Sequence, residues 1–119
     1  MELTGKCKEL FEKWAIKNNI LKRCFYLVCL EVENSLVDFY KIPFSMQCGV
    51  YVDFFDSVGL RITVEPYNPS TKVKQIDGII YEFAIYPDGE DGLGYREFKT
   101  RQEARESAIQ KANDLINNR

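Results

Sequence analysis

Histidine is absent from this sequence of 119 residues, and no common catalytic motif is present. Without histidine the chain lacks the commonest general base and a frequent zinc ligand. It also contains no P-loop, no dinucleotide-binding fingerprint and no H-E-x-x-H motif. We therefore predict a protein that is not an enzyme and that has no catalytic residue, metal site or cofactor.

The cysteines contain no C-x-x-C pair, which also argues against a zinc site. Each lies in an apolar stretch, where a free cysteine behaves as a small hydrophobic residue. We expect structural thiols, and a disulfide is an alternative only in an oxidising compartment. The four are Cys7, Cys24, Cys29 and Cys48.

Long hydrophobic runs are missing too. The uncharged run at 24–30 is far shorter than the roughly 20 residues of a membrane-spanning helix. The N-terminal residues lack the apolar centre of a secretory signal. Hydrophobic residues make up 45% of the chain and charged residues 29%, as in ordinary globular proteins. We expect one domain, 1–119, in the cytoplasm.

Helical periodicity is clearest at the two ends of the chain. Residues 3–21 place apolar side chains on one side at about 100° per residue, which predicts a helix. Near the other end, Thr100 followed by Glu103 forms a capping box that begins a last helix. An alanine stripe along that helix predicts close packing on a sheet, and it consists of Ala104, Ala108 and Ala112.

Strand signals occupy the middle. Residues 24–42 predict either two strands or one strand and an irregular segment. Alternating residues at 48–55 and 59–67 predict a hairpin, followed by strands at 78–87 and 95–98. Polar, turn-rich connections join these strands. We predict an α+β fold in which both terminal helices pack on one face of an antiparallel sheet of three to five strands, in α-β-β-β-α order.

Such a sheet leaves its second face uncovered. In the predicted hairpin, Tyr51 and Phe55 alternate away from the core side, and Tyr67 and Tyr86 are candidates for the same surface. Large apolar patches rarely stay exposed on monomers. These four residues are therefore a candidate apolar interface for a homodimer or a protein partner.

The packing of the last helix on a sheet does not explain two of its arginines. Arg101 and Arg105 fall within the apolar arc of the last helix, close to Lys99. An arginine at the border of such an arc can pair with a carboxylate while its stem covers apolar surface. Alternatively, the three cations contact a phosphate or a partner.

The segment "RQEARESAI" resembles the last helix of a double-stranded RNA-binding domain, which opens K-K-x-A-K-x-x-A-A. On that pattern Arg101, Gln102 and Arg105 match the three lysines. The resemblance implies an α-β-β-β-α fold and duplex RNA binding. Nucleic acid is disfavoured by a net charge of −2 and a pI near 5.2.

The chain also resembles small uncharacterised bacterial and prophage proteins that end in a strand, "F-x-T-x-x-E-A" and an alanine-rich helix. That motif is Phe98, Thr100, Glu103 and Ala104 here, and it implies no activity. We therefore expect a non-catalytic protein that acts through protein association, with nucleic-acid binding as the alternative.

Overall fold

The computed structural model describes residues 1–19, 36–67, 80–86 and 93–119. Its class is α+β with an antiparallel sheet, which confirms that part of the prediction. The elements are α1 (Gly5–Lys17), α2 (Leu36–Lys41), α3 (Phe44–Ser57), β1 (Arg61–Tyr67), β2 (Ile80–Tyr86), β3 (Leu93–Phe98) and α4 (Arg101–Asn117).

The first strand of the predicted hairpin is wrong, because residues 48–55 lie within helix α3. These residues alternate apolar and polar side chains as a strand does, but their buried residues also recur at the spacing of a helix. The folded chain adopts the helix. The buried residues of α3 are Gln47, Cys48, Tyr51, Phe54 and Phe55.

Gly59, which suggested a hairpin turn, instead ends α3. It has φ +90, and the N–H groups of Gly59 and Leu60 donate to the carbonyls of Asp56 and Phe55 at 3.1 and 2.8 Å. This pattern is a Schellman motif with glycine in the left-handed position. Glycine is favoured both here and in hairpin turns, so the residue alone does not distinguish them.

Residues 36–41 are also helical, so the prediction of a second strand reaching residue 42 is wrong. The rest of that segment, 24–35, lies outside the described residues, as do most of the predicted polar connections around 68–79 and 87–92. Because α2 and α3 stand between α1 and β1, the α-β-β-β-α order is not confirmed.

The sheet has the order β1-β2-β3, with both pairs antiparallel. In the first pair Ile62 faces Ile85 and Val64 faces Phe83, and these side chains form the side that packs on helices. Helix α4 crosses β1 and β2, and α3 packs against both β1 and α4. Helix α1 packs mainly against α4 and α3 rather than directly on the sheet.

An aromatic cluster fills the space between α1, α2 and α3. The ring of Phe11 lies 5.5, 5.1 and 5.4 Å from those of Phe39, Tyr51 and Phe54, and all four side chains are fully buried. Tyr51 and Phe55 therefore belong to the helical core. Their predicted place on an open sheet face is wrong, because these residues are helical and not extended.

Helix α4 caps the beginning of α1. Asn113 Oδ1 accepts from the Thr4 N–H at 2.9 Å, and Asn117 Oδ1 accepts from the Cys7 N–H at 2.9 Å. Both amides also donate to the Thr4 hydroxyl, at 2.9 and 3.2 Å. Helices begin with backbone N–H groups that have no partner within the helix. Here a neighbouring helix supplies acceptors for these groups, which joins the two ends of the fold.

Candidate functional site

The three predicted cations lie along the start of α4 in different surroundings. Lys99 and Arg101 are exposed, whereas Arg105 is half-buried. The guanidinium carbon of Arg101 lies 5.5 Å from the ring centre of Tyr81, a cation–π contact. Within the described part of the chain, neither arginine forms an ion pair with a carboxylate. The predicted pairing of border arginines is therefore not seen there.

Arg105 lines a cleft of about 340 Å³ between α3, β1 and α4. Each element contributes residues at its own period, four or three apart on the helices and two apart on the strand. The lining consists of Ser45, Cys48, Gly49, Val52 and Asp53 from α3, Ile62 and Val64 from β1, and Arg105 and Ile109 from α4.

The charges of this cleft come from different helices. Arg105 extends from α4, and Asp53 is an exposed residue of α3 that does not pair with it. Burial raises the pKa of the Cys48 thiol, which lines the same cleft, although the positive charge of Arg105 acts in the opposite direction. A thiol held in its protonated form is a poor nucleophile. The cleft is therefore suited to binding rather than to covalent chemistry at Cys48.

Gly49 keeps the α3 wall of the cleft open. It is exposed in the interior of the helix, and a Cβ atom built on it meets no heavy atom within 4 Å. Glycine in a helix interior costs about 0.5–1 kcal/mol relative to alanine. Neither local geometry nor packing requires glycine here, since its φ is not positive. A gap in the wall that admits a close contact is one use for it.

The beginning of one helix also borders the cleft. Ser45 is the second residue of α3, and the beginning of a helix carries a partial positive charge and free N–H groups. Arg105 is the fifth residue of α4, beyond its first turn, so it contributes only its guanidinium charge. Both contributions favour a negatively charged group, and the nearby Asp53 opposes it.

The outer face of the sheet is not the apolar surface that was predicted. Arg61 lies 5.3 Å from the ring centre of Tyr86, and Glu65 stands opposite Glu82 in the strand register. Thr63 and Ala84 complete this face of β1 and β2. Tyr86 is 38% exposed beside these charges. For Tyr67 the structure describes the backbone only, at the end of β1.

A second groove, of about 560 Å³, runs along the opposite side of α4. Met1, Phe83 and Phe98 form its apolar part, and the polar face of α4 forms its rim. Lys111 and Asp114 lie on that rim. The groove carries both signs of charge, as the cleft does, but it is more open to solvent.

Sequence reasoning found Arg105 but missed the α3 half of the cleft. The signal was present as the helical spacing of Ser45, Cys48, Gly49, Val52 and Asp53, which the predicted strand concealed. Among the described residues, no group of three or more Cys, Asp or Glu side chains is placed to hold a metal ion. None of the helices in the described ranges has the length and apolarity needed to cross a membrane.

No protein-family model, curated protein or solved structure matches the chain. The resemblances to double-stranded RNA-binding domains and to prophage proteins therefore stay predictions. The geometry of the cleft carries the functional argument by itself.

Proposed function

We propose that this protein is a non-catalytic association module, which binds a protein segment that presents a carboxylate beside an aliphatic side chain. The binding site is the cleft between α3, β1 and α4. One observation carries the proposal: Arg105 is half-buried in a cleft to which α3, β1 and α4 each contribute aliphatic side chains, and it pairs with no described carboxylate.

The cost of partly burying the charge of Arg105 is a reason to expect a carboxylate from another molecule. A charged group loses hydration when it is buried, and a hydrogen-bonded opposite charge offsets that loss. A carboxylate accepts two parallel N–H donors from a guanidinium, which gives strength and fixed geometry. A carboxylate supplied by a partner completes the interaction that the described part of the chain does not provide.

The aliphatic part of the ligand follows from the walls. Val52, Ile62, Val64 and Ile109 line the cleft around the arginine. Apolar surface removed from water contributes about 25 cal/mol per Å². A segment with both a carboxylate and an aliphatic side chain therefore matches the cleft better than a carboxylate alone.

Protein is favoured over nucleic acid because acidic side chains surround the cations. Asp53 lines the cleft, and Glu103 and Glu106 are exposed on α4 among Lys99, Arg101 and Arg105. A phosphate backbone requires a continuous basic surface. A homodimer through the open sheet face also loses support, because that face carries Arg61, Glu65 and Glu82.

The proposal is tested by selection from soluble random heptapeptides with free carboxyl termini, identified by mass spectrometry. Wild-type protein is compared with Arg105→Gln, which keeps much of the stem but removes the charge. We expect the wild type to enrich peptides that combine a carboxylate with Val, Leu or Ile, and the variant to lose this enrichment.

Two outcomes count against the proposal. Equal enrichment by both proteins excludes Arg105 as the determinant. Salt-dependent binding of a random duplex RNA, with no peptide enrichment, favours the nucleic-acid alternative instead, because phosphate contacts release counterions.

A further inference from the structure

The cleft is small, and Arg105, the cation among its described lining residues, shares it with aliphatic side chains. Its volume of about 340 Å³ is near the lower end of the roughly 300–1,000 Å³ of small-ligand sites. Arg105 and Ile109 lie four residues apart on one side of α4, so they are neighbours in the lining. A ligand that uses both must present its carboxylate and its aliphatic group within a cleft of this size.

An internal acidic residue next to an aliphatic one does not do this in an extended peptide. Neighbouring side chains of an extended chain point to opposite sides, so only one of the two can enter the cleft. A C-terminal residue is different, because its α-carboxylate and its side chain are attached to the same Cα atom.

We infer that the cleft recognises the C-terminal residue of a partner polypeptide, with an aliphatic side chain and a free α-carboxylate. This inference rests on the proposed function and specifies which carboxylate is bound. Arg105 takes the carboxylate, and the Ser45 hydroxyl lines the same cleft as a second donor. The side chain packs on Val52, Ile62 and Ile109.

Gly49 and Asp53 also affect which ligands the cleft accepts. The open space beside Gly49 gives the terminal backbone room to approach α3, since a Cβ there meets nothing within 4 Å. Asp53 adds a negative charge to the lining. At the same distance, Asp53 repels a phosphate dianion about twice as strongly as a carboxylate with one negative charge.

The test measures the affinity of three fluorescein-labelled heptapeptides by anisotropy. The first ends in Ser-Leu with a free carboxylate, and the second is the same peptide with a C-terminal amide. The third carries an internal Glu-Leu pair and ends in an amide. We expect the first to bind at least tenfold more tightly than either amide.

Two variants assign that difference to the cleft. In Arg105→Gln the acid and its amide should bind equally weakly. In Gly49→Leu, where a leucine side chain occupies the open space, all three peptides should lose at least tenfold in affinity. Lys111→Gln removes one positive charge from the other side of α4 and should change no affinity more than twofold. Circular dichroism and urea unfolding check that each variant is folded.

The possible failures are distinguishable. If the internal Glu-Leu peptide binds as tightly as the free acid and still requires Arg105, the inference is wrong and the proposed function stands. If Arg105→Gln binds every peptide like the wild type, both are wrong. N-acetyl-leucine is measured beside the peptides by isothermal titration calorimetry. If it binds and no heptapeptide does, the cleft is a small-acid site rather than a receptor for polypeptide termini, and the inference is overturned.

Discussion

Gly5→Ala and Gly49→Ala make the same chemical change in two helices, and we expect opposite effects on stability. Gly5 begins α1 with φ +57, and a Cβ there lies 3.0 Å from Asn117 Oδ1. A left-handed conformation costs an L-residue about 1–2 kcal/mol. The new methyl also displaces the Asn117 amide, which accepts from Cys7 and donates to Thr4.

The expected magnitude adds these terms. Each displaced hydrogen bond contributes about 0.5–1.5 kcal/mol net, so Gly5→Ala should lower the free energy of unfolding by about 2–5 kcal/mol. For a domain of this size, that is about 8–20 °C in the melting temperature. Gly49→Ala meets nothing within 4 Å and should raise the free energy by about 0.5–1 kcal/mol through helix propensity.

Urea unfolding followed by the fluorescence of Trp14 measures both changes. Trp14 is the single tryptophan, and its ring lies 5.6 Å from that of Phe54, so it reports on the α1–α3 core. When Asn117 is already alanine, the further change Gly5→Ala should cost only the backbone strain of about 1–2 kcal/mol. The reasoning is refuted if Gly5→Ala is neutral, or if the two glycine variants change stability in the same direction.

Three further changes test other buried groups of the fold. Asn113→Ala removes two hydrogen bonds to Thr4 and should cost about 2 kcal/mol in urea unfolding, whereas a loss below about 0.5 kcal/mol contradicts capping from α4. Gln47→Leu removes the 2.9 Å donor of the Phe39 carbonyl, which keeps a 3.3 Å bond from the Ile42 N–H, and it removes the acceptor of the Met1 amino group. It should cost about 1–3 kcal/mol, and an unchanged midpoint contradicts this. Burial raises the pKa of Cys7 from 9.0 to about 12. The folded state therefore holds this proton more tightly, so the contribution of Cys7 to stability is fully present below pH 9 and falls by about 1.4 kcal/mol per pH unit between pH 9 and pH 12. Cys7→Ala should reduce that slope in circular-dichroism unfolding curves, and an identical slope contradicts the assignment.

The ends of the fold could be predicted from the sequence because their signals are local. The Thr100 hydroxyl accepts from the Glu103 N–H at 3.1 Å, as half of the predicted capping box. Helix α4 and the central strand β2 lie close to their predicted limits. A cap and a strong period each depend on a few neighbouring residues, which is why they can be recognised without knowledge of the tertiary structure.

Helix α3 could not be predicted because its residues satisfy two periods at once. Val50, Val52 and Phe54 alternate as in a strand, while Cys48, Tyr51 and Phe55 follow the helical period. β-branched and aromatic residues favour strands locally, but tertiary burial overrides this preference. The packing of Phe11 against Tyr51 and Phe54 involves residues about forty positions apart, and no local pattern contains that information.

The same contrast between local signals and tertiary packing explains which part of the candidate site could be predicted. Arg105 was identified because a cation inside an apolar arc is unusual in any helix. The cleft around it was not, because Ser45, Gly49 and Asp53 become neighbours of Arg105 only when α3 and α4 pack side by side. An open sheet face with Tyr51 and Phe55 was inferred instead, and both residues are buried.

Matched charge reversal on the two sides of α4 tests the central claim most directly. Arg105→Glu and Lys111→Glu change the net charge equally, but only Arg105 lines the cleft. The measurement is the affinity of one selected peptide for both variants at a fixed salt concentration. The cleft account predicts at least a hundredfold loss for Arg105→Glu and less than a twofold change for Lys111→Glu. Equal losses in both variants would show that the peptide senses only the overall charge, and would contradict a binding site at Arg105.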